Sequence, residues 1–230
     1  MRYVTAALLL VHGLLHLIGF FKPWKVDGFR GVGVLWLIAA VALTTAALLC
    51  LMDRETWWTV AAPAIVLSQA LIVLQWGDAW AGTVVNLLLV VAVASGAGTQ
   101  QFHADSLKRA RALLAKAPVG APPILGVDEI SGLPSPVRRW LEASGAVGRP
   151  RARTVRLLQR GGLRTAPDQP YMPASAAQYF LVDEPGFVWT VDVTMMRVIP
   201  IVGRDSYVDG LGRMFIKAGA PAWARSPRIT

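Results

Sequence analysis

Residues Gly31 to Met52 read GVGVLWLIAAVALTTAALLCLM, twenty-two residues without a charge. As a helix rising about 1.5 Å per residue, this stretch is about 33 Å long and crosses the hydrocarbon core of a bilayer. A helix buried in a water-soluble domain needs only about 12–14 apolar residues. The excess length, and three comparable stretches around it, favour a membrane span over a soluble core.

Those three stretches are Tyr3–Phe21, Thr56–Gln75 and Ala79 to about Thr99. The first ends in Phe20-Phe21-Lys22-Pro23 rather than in the small residues of a signal-peptidase site, so it reads as a retained span. Trp57, Trp58 and Trp76 bracket the third, as interfacial aromatic belts do. Pro63 lies inside it, where neighbouring helices can satisfy the freed carbonyl. Asp53-Arg54-Glu55 and Gly77-Asp78 are breaks short enough to force antiparallel neighbours, which predicts an up-down four-helix bundle. Small residues (Ala39, Ala42, Ala46, Gly82, Ala92, Gly96) allow close helix approach.

Charge divides the chain in two. Residues 1–102 carry five Lys/Arg against four Asp/Glu, and residues 103–230 eighteen against ten, so the net +9 splits into +1 and +8. A membrane half and a basic, water-facing half follow. The single cysteine, Cys50, lies inside the second span and excludes an intrachain disulfide. Placing Arg2, Arg54, Lys108, Arg109, Arg111 and Lys116 inside, against Lys22, Lys25 and Arg30 outside, puts both termini in the cytoplasm of a multi-pass cell-membrane protein. The first span taken alone argues the other way.

His12 and His16 are four apart on the first span and share one helix face. Ionisable residues inside a membrane raise a functional hypothesis by default. With Gln69 and Asn86 they form a candidate intramembrane polar site. Two readings stand. The imidazoles hydrogen-bond to Asn86, Gln69 or Thr44/Thr45 and set helix register, or they serve a proton, quinone, headgroup, metal or haem site. One helix offers only two ligands, so no metal and no cofactor is assigned.

The second half opens with His103–Lys116, whose Leu107, Ala110, Leu113 and Leu114 form an apolar stripe beside Lys108, Arg109, Arg111 and Lys116. It is either a juxtamembrane helix on anionic headgroups or a solvated extension of the fourth helix. Proline-rich 117–126 reads as a semi-rigid spacer. Ser135-Pro136 opens a short helix that ends before Gly145. Beyond Pro150 the period becomes two, with strands expected over Thr154–Gln159, Gly162–Thr165, Gln178–Val182, Phe187–Thr194, Val198–Val202, Asp205–Val208 and Arg213–Lys217. In the fourth of these, Phe187, Trp189, Val191 and Val193 share one face. Asp209-Gly210-Leu211-Gly212 marks a hairpin turn. The fold class is membrane α plus α+β, with domains at 1–102 (four-helix transmembrane region), 103–127 (basic helix and linker), 128–218 (antiparallel β-rich domain) and 219–230 (irregular tail).

Five motifs carry a resemblance: Leu133-Pro-Ser-Pro-Val-Arg-Arg-Trp-Leu141, Arg149 to Gly161, Gln178-Tyr-Phe180, Pro185-Gly-Phe-Val-Trp189 and Gly203 to Met214. Residues 130–218 resemble an uncharacterised bacterial family, a domain of unknown function found behind a small membrane-helix region. The resemblance implies no activity and no site residues. It implies further helix and strands beyond the last motif, so the β-rich domain is expected to be shortened and incomplete, with its last strand at an open edge.

The water-facing half has no cysteine, and its one histidine, His103, lies at the membrane exit, which excludes histidine triads and cysteine nucleophiles within the β-rich region. Asp205 and Asp209 read as turn caps rather than as an acid/base pair. The arginine run has no interleaved aromatics for stacking on nucleic acid. Arg149, Arg151 and Arg153, with Lys108, Arg109 and Arg111, are candidate lipid-headgroup contacts. Three functional classes remain: a membrane-anchored module binding an apolar or lipid-like ligand on the aromatic sheet (Tyr179, Phe180, Phe187, Trp189, Tyr207, Phe215), an oxidoreductase or proton-coupled component using the histidine pair, and a structural or assembly subunit. The bilayer is the partner in each, oligomerisation is left open, and the first class is preferred.

Overall fold

The computed structural model describes residues 2–21, 31–196, 199–218 and 228–229. The 22–30 loop, with Lys22, Lys25 and Arg30, lies outside them, as do Val198 and residues 219–227 of the tail. The chain divides into two compact units. One comprises Met1–His103, Thr194–Ile201 and Lys217–Ala224, the other Ala104–Val193, Val202–Ile216 and Arg225–Thr230.

The first unit is built on helices α1 (Arg2–Phe21), α2 (Gly31–Leu51) and α3 (Trp57–Leu74), the single turn α4 (Trp76–Ala79), and the first two thirds of α5 (Ala81–Leu114). Four of these helices are long and apolar enough to cross a membrane. Inside, Leu9, Leu43, Ala46, Ala47, Ala61, Ala64, Ile65 and Leu89 form one core cluster, and Trp36, Ala39, Leu71 and Ile72 a second. Alanine at so many contacts lets the backbones approach closely. Gly13 is such a contact, since a Cβ there would lie 3.1 Å from the Ala40 carbonyl oxygen and 3.2 Å from Leu43 Cβ. The outward faces are apolar as well: Val11, Leu14 and Ile18 on α1, Val34 and Val41 on α2, and Leu87, Leu88 and Val91 on α5 are all exposed. Water is a poor solvent for such a surface.

The fourth apolar stretch does not stop near Thr99. Helix α5 runs unbroken for 34 residues through the segment His103–Leu114. In the second unit, Ala110 and Leu113 of its last turns are buried against Leu181 and Val188, with Ala117, Tyr179 and Val208 around them. Two residues of the apolar stripe, Ala110 and Leu113, therefore pack on the sheet, while Leu107 stays exposed. Its polar flank is tied down too: Arg204 Nη1 donates to Asp105 Oδ2 at 2.7 Å and to Ser106 Oγ at 3.0 Å, and Arg109 Nε donates to the same Asp105 oxygen at 3.0 Å. Partial burial raises the Asp105 pKa, but the hydrogen bonds and charges of Arg109 and Arg204 outweigh it and hold the carboxyl below its ordinary value.

After α6 (Val127–Ser131) and α7 (Ser135–Ala143), five long strands and one short one form an antiparallel meander in chain order: β1 (Thr154–Leu163), β2 (Met172–Leu181), β3 (Gly186–Met195), β4 (Ile199–Val208), β5 (Leu211–Ala218) and β6 (Arg228–Ile229). Two strands expected as separate pairs are single. Gly162 does not break β1; a Cβ there would meet Tyr171 at 2.9 Å, so the residue serves close approach. Gly203 likewise passes Val191 within β4, at 3.1 Å from its Cγ1 to a built Cβ. The β4–β5 turn is the two residues Asp209 and Gly210, with φ +54° and +76°, the type I′ conformation that an Asp-Gly pair favours. Asp209 also meets Lys116 in an ion pair.

One expectation about this sheet is corrected. The open final edge is covered at its start, because Gly212 and Arg213 of β5 pair with Ile229 and Arg228 of the tail. The deepest strand residue is Val188, on the opposite face from Phe187 and Trp189, because register pairs it with Tyr179 and sets both under α5. Val191 and Val193 are also buried, from the other face, while Asp192 on the Val188 face is exposed.

Candidate functional site

In the helical unit, the sequence-level polar residues converge. His12 Nε2 donates to Asn86 Oδ1 at 3.0 Å and lies 3.1 Å from Ser68 Oγ. Asn86 Nδ2 donates to Ser68 Oγ and to Gln69 Oε1, each at 3.0 Å, and Gln69 Nε2 donates to Thr83 Oγ1 at 3.1 Å. The chain of bonds joins α1, α3 and α5. His12, Ser68 and Asn86 are all buried. Buried polar side chains require such closure, because each one left unpaired costs about 1–3 kcal/mol. Three of the four expected residues thus share one network. Thr44 and Thr45 do not join it; Thr44 packs at Gly13 instead. Ser68, the hydroxyl at its centre, is the residue that sequence reasoning left anonymous among several Ser/Thr hydroxyls.

His16 stands apart from the network. Its Nδ1 lies 2.9 Å from the His12 carbonyl oxygen, one helical turn back. The two imidazoles meet edge to face at 4.7 Å, and the His16 ring packs at 4.9 Å on Trp36. His16 is 2% exposed, and among the described residues its Nε2 has no hydrogen-bond partner. The ring forms part of the wall of a cavity of about 280 Å³, together with Leu15, Ile18, Trp36, Ile72 and Gly82. Gln75 and Asp78 line it too, at the α3–α5 connection. Leu15 and Ile18 are 53% and 65% exposed, so the rim reaches the outer apolar surface of the bundle.

A second cavity in the same unit, about 320 Å³, is lined by Thr5, Cys50, Ser95, Thr99 and Gln100 beneath charged residues. Arg2 pairs with Asp53 at 2.8 Å and His103 with Glu55 at 3.7 Å at its rim.

The sheet does not assemble an aromatic pocket. Register puts Phe180, Phe187 and Trp189 on one face and Tyr179 on the other. Phe180, Phe187 and Tyr207 line an open depression of about 400 Å³ with Val155, Val182 and Pro185. Trp189 Nε1 donates to Gln159 Oε1 at 3.0 Å, and Phe215 lies under the Arg204 guanidinium at 5.8 Å.

The arginine run is also redirected. Arg153, whose side chain is only 18% exposed, donates from Nη1 to the carbonyls of Pro118 and Gly120 and from Nη2 to that of Ala121. Its Nη donors are turned to the 117–126 segment, while Nε lies 3.7 Å from Asp183 Oδ2. Arg151 pairs with Glu129, which also accepts from the Gly126 N–H at 2.8 Å. Backbone bonds between Leu125 and Arg149, and from Arg151 to Pro123, fasten the same segment. The expected spacer is therefore an integral part of the second unit. Lys108, Arg109 and Arg111 remain exposed on α5, Arg109 in its pair with Asp105.

An apolar four-helix bundle followed by an antiparallel meander sheet defines the class of protein. Residues 123–221, from the end of the proline-rich segment through the five long strands, match a family of unknown function, DUF6544. No curated protein and no solved structure matches the chain.

Proposed function

We propose that the chain is a multi-pass integral membrane protein whose helix bundle is a binding module for an apolar, lipid-like ligand. The observation that carries this reading is a cavity of about 280 Å³ lined by Leu15, Ile18, Trp36 and Ile72 beside the buried His16 ring, with a rim that reaches the apolar outer surface. The ligand site is thereby in the bundle rather than on the aromatic sheet, whose depression is more open. Lys108 and Arg111, just beyond the apolar part of α5, serve as headgroup contacts, each contributing about 1 kcal/mol at an anionic surface.

Native mass spectrometry of the full chain released from lipid nanodiscs tests the binding. The expected spectrum carries a retained apolar molecule, and Ile18→Trp, which plugs the rim from an exposed position, removes it. Identical bare masses for both chains would refute the module. Orientation has its own test. The excess of Lys and Arg at the Arg2 and Arg54 ends and on α5 supports an orientation with both termini in the cytoplasm. A reporter fused after Thr230 that works only in the cytoplasm should be active, and its silence at normal expression would invert the topology.

A further inference from the structure

We propose that the second unit carries an oxyanion site of its own, between α5 and the β4–β5 hairpin, that takes a compact organic phosphate. Arg109 and Leu113, four apart, share one face of α5, and Lys116 follows just past its end. On β5, Arg213 lies on the same strand face as Leu211 and Phe215. Phe215 sits under the Arg204 guanidinium, which in turn binds Asp105 and Ser106 of α5. That face of β5 is therefore the one turned towards the helix. Between the two elements lies a cavity of about 260 Å³, lined by Arg109, Lys116, Arg213 and Asp209. Ala112, Val208 and Leu211 give it an apolar wall over the buried Leu113.

Charge decides what such a cavity accepts. Three cations and one carboxylate line it, and the carboxylate is already met, because Asp209 pairs with Lys116. Arg109 shares Asp105 with Arg204, so one carboxylate there answers two guanidiniums. Among the described residues the Arg213 side chain makes no hydrogen bond and no ion pair. All three cations are open to water: Arg213 is exposed, and the Arg109 and Lys116 side chains are 45% and 36% exposed. The lining thus holds an excess of two positive charges. A phosphate monoester brings about −1.5 to −2 at neutral pH, and a guanidinium fork binds two of its oxygens at once. The same excess repels an amine, and a neutral alcohol forgoes the charge-assisted bonds. Size narrows the class further. At the roughly 30 Å³ that one water occupies in the liquid, about 260 Å³ holds on the order of nine heavy atoms. A phosphate group and a short hydrocarbon body fill that space.

The test uses the full chain in nanodiscs of phosphatidylcholine, titrated with butyl phosphate, 1-butanol or butylammonium and followed by ligand-observed NMR. Butyl phosphate is expected to bind saturably, about tenfold or more tighter than butanol, and butylammonium not to bind. Arg213→Gln changes an exposed side chain that holds nothing else in place. It should weaken butyl phosphate about tenfold, and Arg213→Lys, which keeps the charge without the fork, should recover part of the loss. The bilayer then separates two sources of the same chemistry. Displacement of butyl phosphate when the nanodisc carries phosphatidic acid supports the site as one for a lipid phosphate; binding indifferent to the bilayer supports a soluble phosphate ester. Equal affinity for butyl phosphate and either control overturns the inference, and so does binding that Arg213→Gln leaves unchanged. Absence of saturable butyl phosphate binding to the unsubstituted chain overturns it as well, and needs no variant to fold.

Discussion

A Gly19→Leu chain is expected to lose about 3 kcal/mol of bundle stability and its ligand cavity together. A Cβ built on Gly19 lies 2.3 Å from Trp36 Cδ2 and 2.5 Å from Cε3, well inside contact distance. Trp36 packs in the second core cluster with Ala39, Leu71 and Ile72, so the ring can yield only into the cavity it lines. Either the ring fills that cavity or the helices separate, and overpacking of this kind costs about 1–3 kcal/mol before the further atoms of leucine are added. Glycine is a poor helix former, and replacing it returns about 1 kcal/mol. The clash outweighs that gain. Because Trp36 and Gly19 both line the His16 cavity, retention of an apolar guest should fail in the same variant. Unfolding in mixed detergent micelles measures the first effect and native mass spectrometry the second. A variant as stable as the parent would show that α1 and α2 are not locked at this point.

Asn86→Leu is expected to cost about 1–3 kcal/mol, with no change of backbone clash to explain it. The side chain is nearly isosteric and sits at a fully interior position of α5, so any loss reports the hydrogen bonds. Removing the amide leaves Gln69 Oε1 without its donor and His12 with Ser68 alone. In a bilayer the individual interhelical bonds are modest, about 0.6 kcal/mol on average with a maximum near 1.7, so the summed loss of a shared residue is the informative quantity. Asn86→Gln, which keeps the groups but lengthens the arm, should recover part of the stability. If leucine at this position were neutral or stabilising, the network would be register-setting at most and energetically idle.

How much of this was readable in the residues varies with the range of the interaction. The four apolar helices, the Asp209-Gly210 turn and the pairing of His12 with His16 on one face follow from local rules: hydrophobic length, φ preference and helical period. What the 103–114 segment packs on was open at the sequence level, because a charged amphipathic segment suits a headgroup layer and a protein surface equally well. Only the burial of Ala110 and Leu113 against Leu181 and Val188 decided it.

The candidate site divides the same way. That His12, Gln69 and Asn86 would seek partners was dictated by their polarity in an apolar stretch. That Ser68 stands at the centre, and that His16 is the histidine left unpaired, depends on how α1, α3 and α5 are rotated about their axes. Helix α2 is apolar all round, so its sequence carries no stripe to orient its neighbours. In the second unit, the fold set α5 over the face of Tyr179 and Val188 and turned Arg153 towards three carbonyls of its own chain. A period of two says which residues share a face, but not which face meets a helix. Polarity and hydrophobic length act within one element and are written in it; partner choice requires two elements at a definite rotation or register, which only the assembled structure supplies.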